Sequence, residues 1–111
     1  MESILTSIKK LLGIEKDYVQ FDTDIIIHIN SVFMILTQLG IGPEEGFSIT
    51  DEFDIWNDFI PEDDKRFEAV KTYVYLKVRL LFDPPTGSVV MGAIKEQIKE
   101  LECRLNWLVE S

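Results

Sequence analysis

The sequence predicts an all-α protein, a compact bundle of about four helices with an irregular acidic loop between the second and third. Four segments carry apolar residues at alternating spacings of three and four, the period of an amphipathic helix. One short stretch alternates instead, and for this reason we allow one short β-bridge in the loop. The chain has 111 residues, 46% of them hydrophobic and 28% charged. These values fit one globular domain, so we expect a single helical domain over residues 1–111.

The first predicted helix is short and begins near the N-terminus. Ser3 precedes it in the position of an N-cap, and Gly13 follows it as a residue able to adopt the left-handed conformation that ends helices. Its apolar residues are spaced at three and four and should face the core: Ile4, Leu5, Ile8, Leu11 and Leu12.

The second predicted helix opens at Asp22 or Asp24 and ends at Gly40. Ile27 and Met34 lie nearly opposite its main stripe, so this helix is apolar on almost every side. Such a helix is either buried on several sides or covered by another subunit. Its stripe consists of Ile25, Ile29, Val32, Leu36 and Leu39.

Between Gly40 and Pro61 the helical period is lost. Glycine and proline interrupt the start of this segment, Phe47 and Ile49 alternate like a short strand, and residues 51–59 mix acids with aromatic side chains. We predict a loop that contains one short helical turn.

Two further long helices follow this loop. Pro61 and the acids at 62–64 should form the first turn of the third, whose core stripe runs from Phe67 to Leu81, and Asp83-Pro84-Pro85 must end it. Ser88 is the predicted cap of the last helix. The two stripes are Phe67, Val70, Val74, Val78, Leu81 and then Val90, Ile94, Ile98, Leu101, Leu105, Leu108.

The last helix also carries apolar residues away from its core stripe. Trp107 lies about 140° from the centre of that stripe, Val89 shares its angular position, and Cys103 is nearby. Tryptophan is enriched at the energetic centres of protein interfaces. We therefore predict a partner or subunit interface that involves Ile27, Met34, Val89, Cys103 and Trp107. The alternative is that the last turn frays and Trp107 folds back over the core.

The negative charge is concentrated in the central segment. The chain has 20 acidic and 11 basic residues. Nine acids and no base lie between Glu44 and Asp64, so the remainder is neutral. This distribution disfavours nucleic-acid binding, which requires clustered Lys and Arg. The segment is either a solvated loop or the lining of a channel, in both cases with carboxylates that contribute little to stability. The loop or lining residues are Glu44, Glu45, Asp51, Glu52, Asp54 and Asp58.

The sequence offers little for catalysis. Asp51, Asp54 and Asp58 would share one face if they were helical, but nothing completes a metal cage around them. His28 is better interpreted as a core or interface imidazole than as a base. One cysteine and one histidine exclude an internal disulfide and a Cys/His zinc site. Nucleotide-binding glycine motifs are missing, and no apolar run is long enough to cross a membrane. We predict a protein without enzymatic activity, cofactor or membrane contact.

Five stretches of the sequence resemble the small helical head-tail connector proteins of long-tailed bacteriophages. The most specific is the run YLKVRLLFDPP followed by one long helix; where this chain has Cys103, an aromatic residue is usual. The stretches are ILTSIKKLLG (4–13), DTDIIIHINSVFMILTQLG (22–40), WNDFI (56–60), VKTYVYLKVRLLFDPP (70–85) and ECRLNW (102–107).

The resemblance implies a structural protein of a phage or prophage, made in the host cytoplasm and located at the head-tail junction of the virion. Such proteins form a ring, a dodecamer in the virion, under the portal protein. The ring extends the DNA channel, through which DNA passes without specific binding, and holds the next neck or tail component. The isolated subunit is expected to be a monomer or a weak oligomer, with its C-terminal helix toward the portal.

Two other functions remain open at this point. The nine acids are compatible with a DNA mimic that inhibits a nucleic-acid-binding protein, although a mimic needs charges along a rigid surface and these lie in a loop. A small helical protein-interaction module belongs to the same alternative. A metal-dependent hydrolase built on Asp51, Asp54 and Asp58 is the least favoured.

Overall fold

A computed structural model describes residues 2–110, with side chains up to Trp107, and is helical throughout apart from its connections. Five α-helices are present in this part of the chain, four of them longer than one turn. They are α1 (Ile4–Leu11), α2 (Asp22–Gln38), α3 (Trp56–Phe59), α4 (Phe67–Phe82) and α5 (Ser88–Glu110). The predicted all-α bundle with an irregular loop between the second and third long helices is confirmed.

Helix α1 forms as predicted at both ends. The hydroxyl of Ser3 accepts a hydrogen bond from the amide of Thr6 at 3.2 Å, and Gly13 has a φ of +81° just beyond the C-cap. Ile4, Leu5 and Ile8 are buried. Leu11 is exposed, contrary to the prediction, at the last turn of α1.

Lys9 is a buried base that joins the end of α1 to the start of α2. Its ammonium donates to the carbonyl oxygens of Lys16 at 3.1 Å and Tyr18 at 2.7 Å, and it lies 2.8 Å from the Oδ1 atom of Asp22. That oxygen is buried and has no other partner among the residues described. One ammonium therefore fixes both the α1–α2 connection and the first turn of α2.

Helix α2 buries the predicted stripe, with Leu39 half-buried at its end. Gly40 follows with a φ of +86°. Asn30, in the middle of the helix, donates to the carbonyl of Ile49 at 3.0 Å and accepts from its amide at 2.7 Å. Both polar groups of Ile49 are thus satisfied by one side chain, which holds the irregular segment against α2.

The irregular segment is joined to the N-terminus through an isolated antiparallel bridge between Ser3 and Ile55. The short β-bridge predicted for this loop is thus present, at Ile55 rather than at the alternating Phe47 and Ile49. Ile49 is instead held by the side chain of Asn30. The predicted helical turn is α3. Its Trp56 is fully buried, and its indole N–H donates to the hydroxyl of Ser7 at 2.8 Å.

Gly42 allows this segment to lie close to α3. Its φ is +85°, and a Cβ atom placed there would be 2.3 Å from the ring of Phe59. Only glycine accommodates both that backbone conformation and that approach.

Helix α4 begins at Phe67, later than predicted. The acids at 62–64 lie in turns before it rather than in its first turn. Asp64 accepts hydrogen bonds from the amide of Arg66 at 2.8 Å and from its guanidinium at 3.0 and 3.1 Å. These bonds hold the pKa of the Asp64 carboxyl below its ordinary value. The prediction failed because a side-chain turn competes with the helix for these backbone groups.

Helix α4 is the middle layer of the fold, packed against α2 and α5. At 100° per residue, the face with Val70 and Val74 lies about 110° from the face with Tyr73 and Leu76. Tyr73 marks the side toward α5, where its hydroxyl donates to Glu102 at 2.6 Å. Helices α2 and α5 therefore lie on different sides of α4.

Helix α5 buries Ile94, Ile98 and Leu105 of its predicted stripe, and Leu108 is outside the described side chains. Val90 and Leu81 are exposed against expectation; Val90 lies in the first turn of α5 and Leu81 in the last turn of α4. The carbonyl of Gly87 accepts the first helical bond, from Met91, so Gly87 rather than Ser88 is the cap. Within residues 2–110, no helix has the length and apolarity to span a membrane.

Replacing Lys9 should test its role in joining α1 to α2. Lys9→Met leaves the Asp22 oxygen and two carbonyl groups without their partner, and it should lower the free energy of unfolding by about 2–4 kcal/mol. Lys10→Met, at an exposed neighbour, should change it by less than about 0.5 kcal/mol. Urea denaturation of the unsubstituted protein and the two variants measures both changes. A Lys9→Met variant as stable as Lys10→Met would contradict the role assigned to Lys9.

The Tyr73–Glu102 contact predicts a dependence of stability on alkaline pH. Burial, with the Glu102 carboxylate as a second cause, raises the pKa of Tyr73 above its ordinary value. The unfolded chain therefore loses this proton first, and stability falls as the pH rises above about 10. Tyr73→Phe should be less stable at neutral pH, by about 1–2 kcal/mol, and should show a shallower fall. The measurement is the free energy of unfolding by denaturant at several values between pH 8 and pH 11, with Tyr75→Phe as the control variant. If Tyr73 were not involved, the stability of Tyr73→Phe would fall with pH as steeply as that of the unsubstituted protein.

Candidate interaction surfaces

The outer face of α5, defined here by Val89, Cys103 and Trp107, is open to solvent. Val89 is 84% exposed and Trp107 is 68% exposed, and Cys103 is a free, exposed thiol. All three lie within the regular helix, so Trp107 does not fold back over the core. The predicted position of these side chains is confirmed, whereas their role in an interface stays a prediction.

The outer face of α2 carries Ile27 and Met34, which are 56% and 61% exposed. Met34 lies beside a groove of about 540 Å³ between α2 and the start of the irregular segment. Half-buried Phe47 forms the other apolar wall, and Gln38 and Glu45 lie along the groove. The lining of this groove thus combines two apolar side chains with polar ones.

These two outer faces do not belong to one continuous patch. Because α4 separates α2 from α5, the outer face of each lies on a different side of the subunit. Each subunit thus presents two chemically different surfaces, one with a projecting tryptophan and one with a groove.

The acidic segment contains carboxylates of two kinds. Glu44, Glu45, Asp51, Glu52 and Asp58 are exposed, as expected for a solvated loop or a lining. Asp54 is half-buried and structural. Its Oδ2 atom accepts from the amides of Thr50 at 2.7 Å and Asp51 at 3.3 Å, so the structure leads us to expect a contribution to stability that the sequence did not predict.

The three aspartates considered for a metal do not share a helix face. Asp51 and Asp54 precede α3, and only Asp58 lies in it. Asp51 accepts from the amide of Phe53 at 2.8 Å, so its carboxylate is used within its own turn. Among the described side chains, from Glu2 to Trp107, no three of His, Cys, Asp or Glu are grouped as metal ligands would be.

The structure adds an exposed apolar pair and a set of aromatic contacts around His28 that the sequence reasoning did not identify. Phe53 is 79% exposed at the tip of the acidic turn, near Val19, which is 66% exposed. His28 is half-buried, with its ring 6.5 Å from that of Phe82. Phe82 in turn contacts Phe21 edge-on at 5.3 Å. The spacing of these residues in the sequence does not predict these contacts, because the contacts join separate elements of the fold.

The fold and its surfaces define a small all-helical protein with apolar side chains exposed on the outer faces of two long helices. A family model described as phage connector protein matches residues 4–111, nearly the whole chain. The chain belongs to that family, and the resemblance found in the sequence is confirmed at this level. Neither a curated protein nor a solved structure matches it.

The two kinds of carboxylate in the acidic segment can be separated by substitution. Asp54→Ala removes the acceptor for two backbone amides and should lower the free energy of unfolding by about 1–2 kcal/mol. Asp58→Ala removes an exposed carboxylate from the same segment and should have an effect below about 0.5 kcal/mol. Chemical denaturation measures the free energy of unfolding of both variants. Equal losses for Asp54→Ala and Asp58→Ala would show that Asp54 is no more structural than Asp58.

Proposed function

We propose that this connector protein is a ring subunit that lies under the portal at the head-tail junction of the virion. The ring extends the DNA channel and holds the next neck or tail component. The observation that carries the proposal is the pair of exposed apolar faces, on α2 and on α5, in a chain of the phage connector family.

Two different faces per subunit suit a closed ring. A ring forms when one face of each subunit contacts a different face of the next and the rotation between them closes. A single self-complementary patch would instead give a dimer. The separation of α2 from α5 by α4 supplies the two faces on different sides. We assign the C-terminal helix to the side that meets the portal, on the strength of the resemblance.

The acidic segment suits a passage for DNA. It carries nine acids and no base, and most of the carboxylates that we assign to the lining are exposed. A surface of this sign repels phosphate, so DNA passes without being held. The ring subunit acts as a structural element in this proposal, without catalysis and without a cofactor, in keeping with the structural character of the family.

The acidic DNA mimic is the less favoured alternative. A mimic must present carboxylates along an extended rigid surface, but these acids lie in turns around α3. The carboxylates of Asp51 and Asp54 accept hydrogen bonds from their own backbone. The positions of these carboxylates are therefore set by hydrogen bonds within the loop and do not follow the spacing of DNA phosphates.

Trp107 is the residue whose replacement tests the proposal. Trp107→Ala should change the free energy of unfolding by less than about 0.5 kcal/mol, because the indole side chain of Trp107 is exposed. It should weaken ring formation or docking to portal-containing particles by about 2 kcal/mol if Trp107 is a hot spot. Asn106→Ala, an exposed neighbour about 100° around the same helix, is the matched control.

Thermal melting of the isolated proteins and co-sedimentation with portal-containing particles are the two measurements. Loss of binding for Trp107→Ala alone, at unchanged melting temperature, is the expected result. The proposal would be overturned if the unsubstituted protein did not bind the particles but did bind proteins that recognise single-stranded or duplex DNA. That result would favour the DNA-mimic function.

A further inference from the structure

We propose that helix α5 of one subunit packs in parallel beside α5 of the next copy of this chain, with its outer face against the basic flank of its neighbour. The basic flank is defined by Lys95 and Lys99, both exposed. This contact rests on the proposed ring and names the surfaces that meet in it. The next copy then covers the outer face of α5, and the outer face of α2 is left for another component of the neck.

Helix α5 has most of its circumference available for such a contact. It extends over 23 residues and packs against α4 through the side that buries Ile98 and Leu105. At 100° per residue, the basic flank lies about 100° from that buried side, and the outer face lies about 100° further round. The helix therefore exposes two distinct surfaces along the same length.

The charges of these two surfaces are separated by sign. Glu96 and Glu100 lie on the outer face, within about 20° of Trp107, whereas Lys95 and Lys99 form the flank. Both pairs have the i, i+4 spacing, at which like charges destabilise a helix. Among the described side chains, the ion pairs include none of Lys95, Glu96 and Lys99. A partner of opposite charge on each surface would offset this cost.

The two surfaces are complementary to one another. Each lysine precedes a glutamate directly, so the two kinds of charge lie within about 1.5 Å of the same height along the helix. Two parallel copies in register therefore place Lys95 and Lys99 of one opposite Glu96 and Glu100 of the other. Arg104 donates to Oε1 of Glu100 at 2.7 Å from the far side of the outer face, which leaves the flank side open to a lysine.

The apolar end of the outer face also has a place in this arrangement. Val89 is 84% exposed, and Ser88 lies at the same height in line with the basic flank. Gly92 follows one turn later, and a Cβ atom built there would have nothing within 4 Å in its own subunit. The space beside Ser88 and Gly92 can therefore receive Val89 of the neighbouring copy.

Ring geometry selects the parallel arrangement. Successive copies in a ring of twelve differ by a rotation of about 30°, so the same helix in two neighbours is never further than this from parallel. Helices that cross at about 20° pack well. A contact of the outer face with itself would instead bring Glu96 and Glu100 against the same carboxylates of the other copy, which is destabilising.

Disulfide trapping between two kinds of chain tests this contact. The outer-face chain is Val89→Cys/Cys103→Ser, and the flank chain is Ser88→Cys/Cys103→Ser. Mixed and oxidised in solution, they should form heterodimers. Each alone should remain monomeric, because equal positions do not face one another. Ser88→Cys/Val89→Cys/Cys103→Ser, with a thiol on both surfaces, should form a ladder of oligomers.

Charge reversal shows whether the two surfaces direct the link. Glu96→Lys/Glu100→Lys in the outer-face chain should slow heterodimer formation by about tenfold, because lysines then face lysines. A nonspecific effect of charge would have the opposite sign, since this change reduces the net charge of −9. Lys95→Glu/Lys99→Glu in the flank chain should then restore the rate.

A matched control and an antiparallel trap complete the test. Glu15→Lys/Glu44→Lys in the outer-face chain changes the net charge equally at exposed acids outside α5, and it should not slow the link. An antiparallel pair would place Val89 opposite Asn106. Faster linking of the outer-face chain to Asn106→Cys/Cys103→Ser than to the flank chain would overturn the contact, and so would absence of the heterodimer.

Co-sedimentation with portal-containing particles separates this contact from the proposed function. Particles that still bind the unsubstituted protein when no heterodimer forms would overturn the α5–α5 contact and leave the connector role in place. A heterodimer link in a protein that does not bind the particles would overturn the connector role and leave the contact.

Discussion

The burial of Trp56 is the constraint on which the rest of this structure depends. Its ring packs against Phe33 of α2 and Phe67 of α4, and its N–H bonds to Ser7 of α1. Its amide also donates to the carbonyl of Glu2. One residue of a single-turn helix thus touches three long helices and fixes the irregular segment between them. Without it, the acidic turn and the groove beside α2 would have no defined position.

The sequence was sufficient for the features that depend on local periodicity. The four long helices, the cap at Ser3 and the glycine ends of α1 and α2 follow from spacing and backbone preference alone. The outward position of Trp107 followed from its angle on a regular helix. These features were predictable because each is decided within one or two helical turns.

The features that the sequence did not predict depend on groups brought together from distant parts of the chain. Glu102 accepts from Tyr73 because α5 packs on that face of α4, and the spacing of residues within α5 does not predict this partner. The bridge formed at Ile55 rather than near Phe47, since the N-terminus pairs there. The groove at Met34 exists only because Asn30 holds Ile49 against α2. Periodicity carries no information on such partners.

The bridge between Ser3 and Ile55 has a consequence for the order of folding. Helices α4 and α5 are joined by a short connection and pack directly, so their contacts close a small loop. Ser3 must instead pair with Ile55, about fifty residues away along the chain, and closing that longer loop costs more conformational entropy. Local contacts form sooner than distant ones. We therefore expect helix α1 to complete the core after α4 and α5 have packed together.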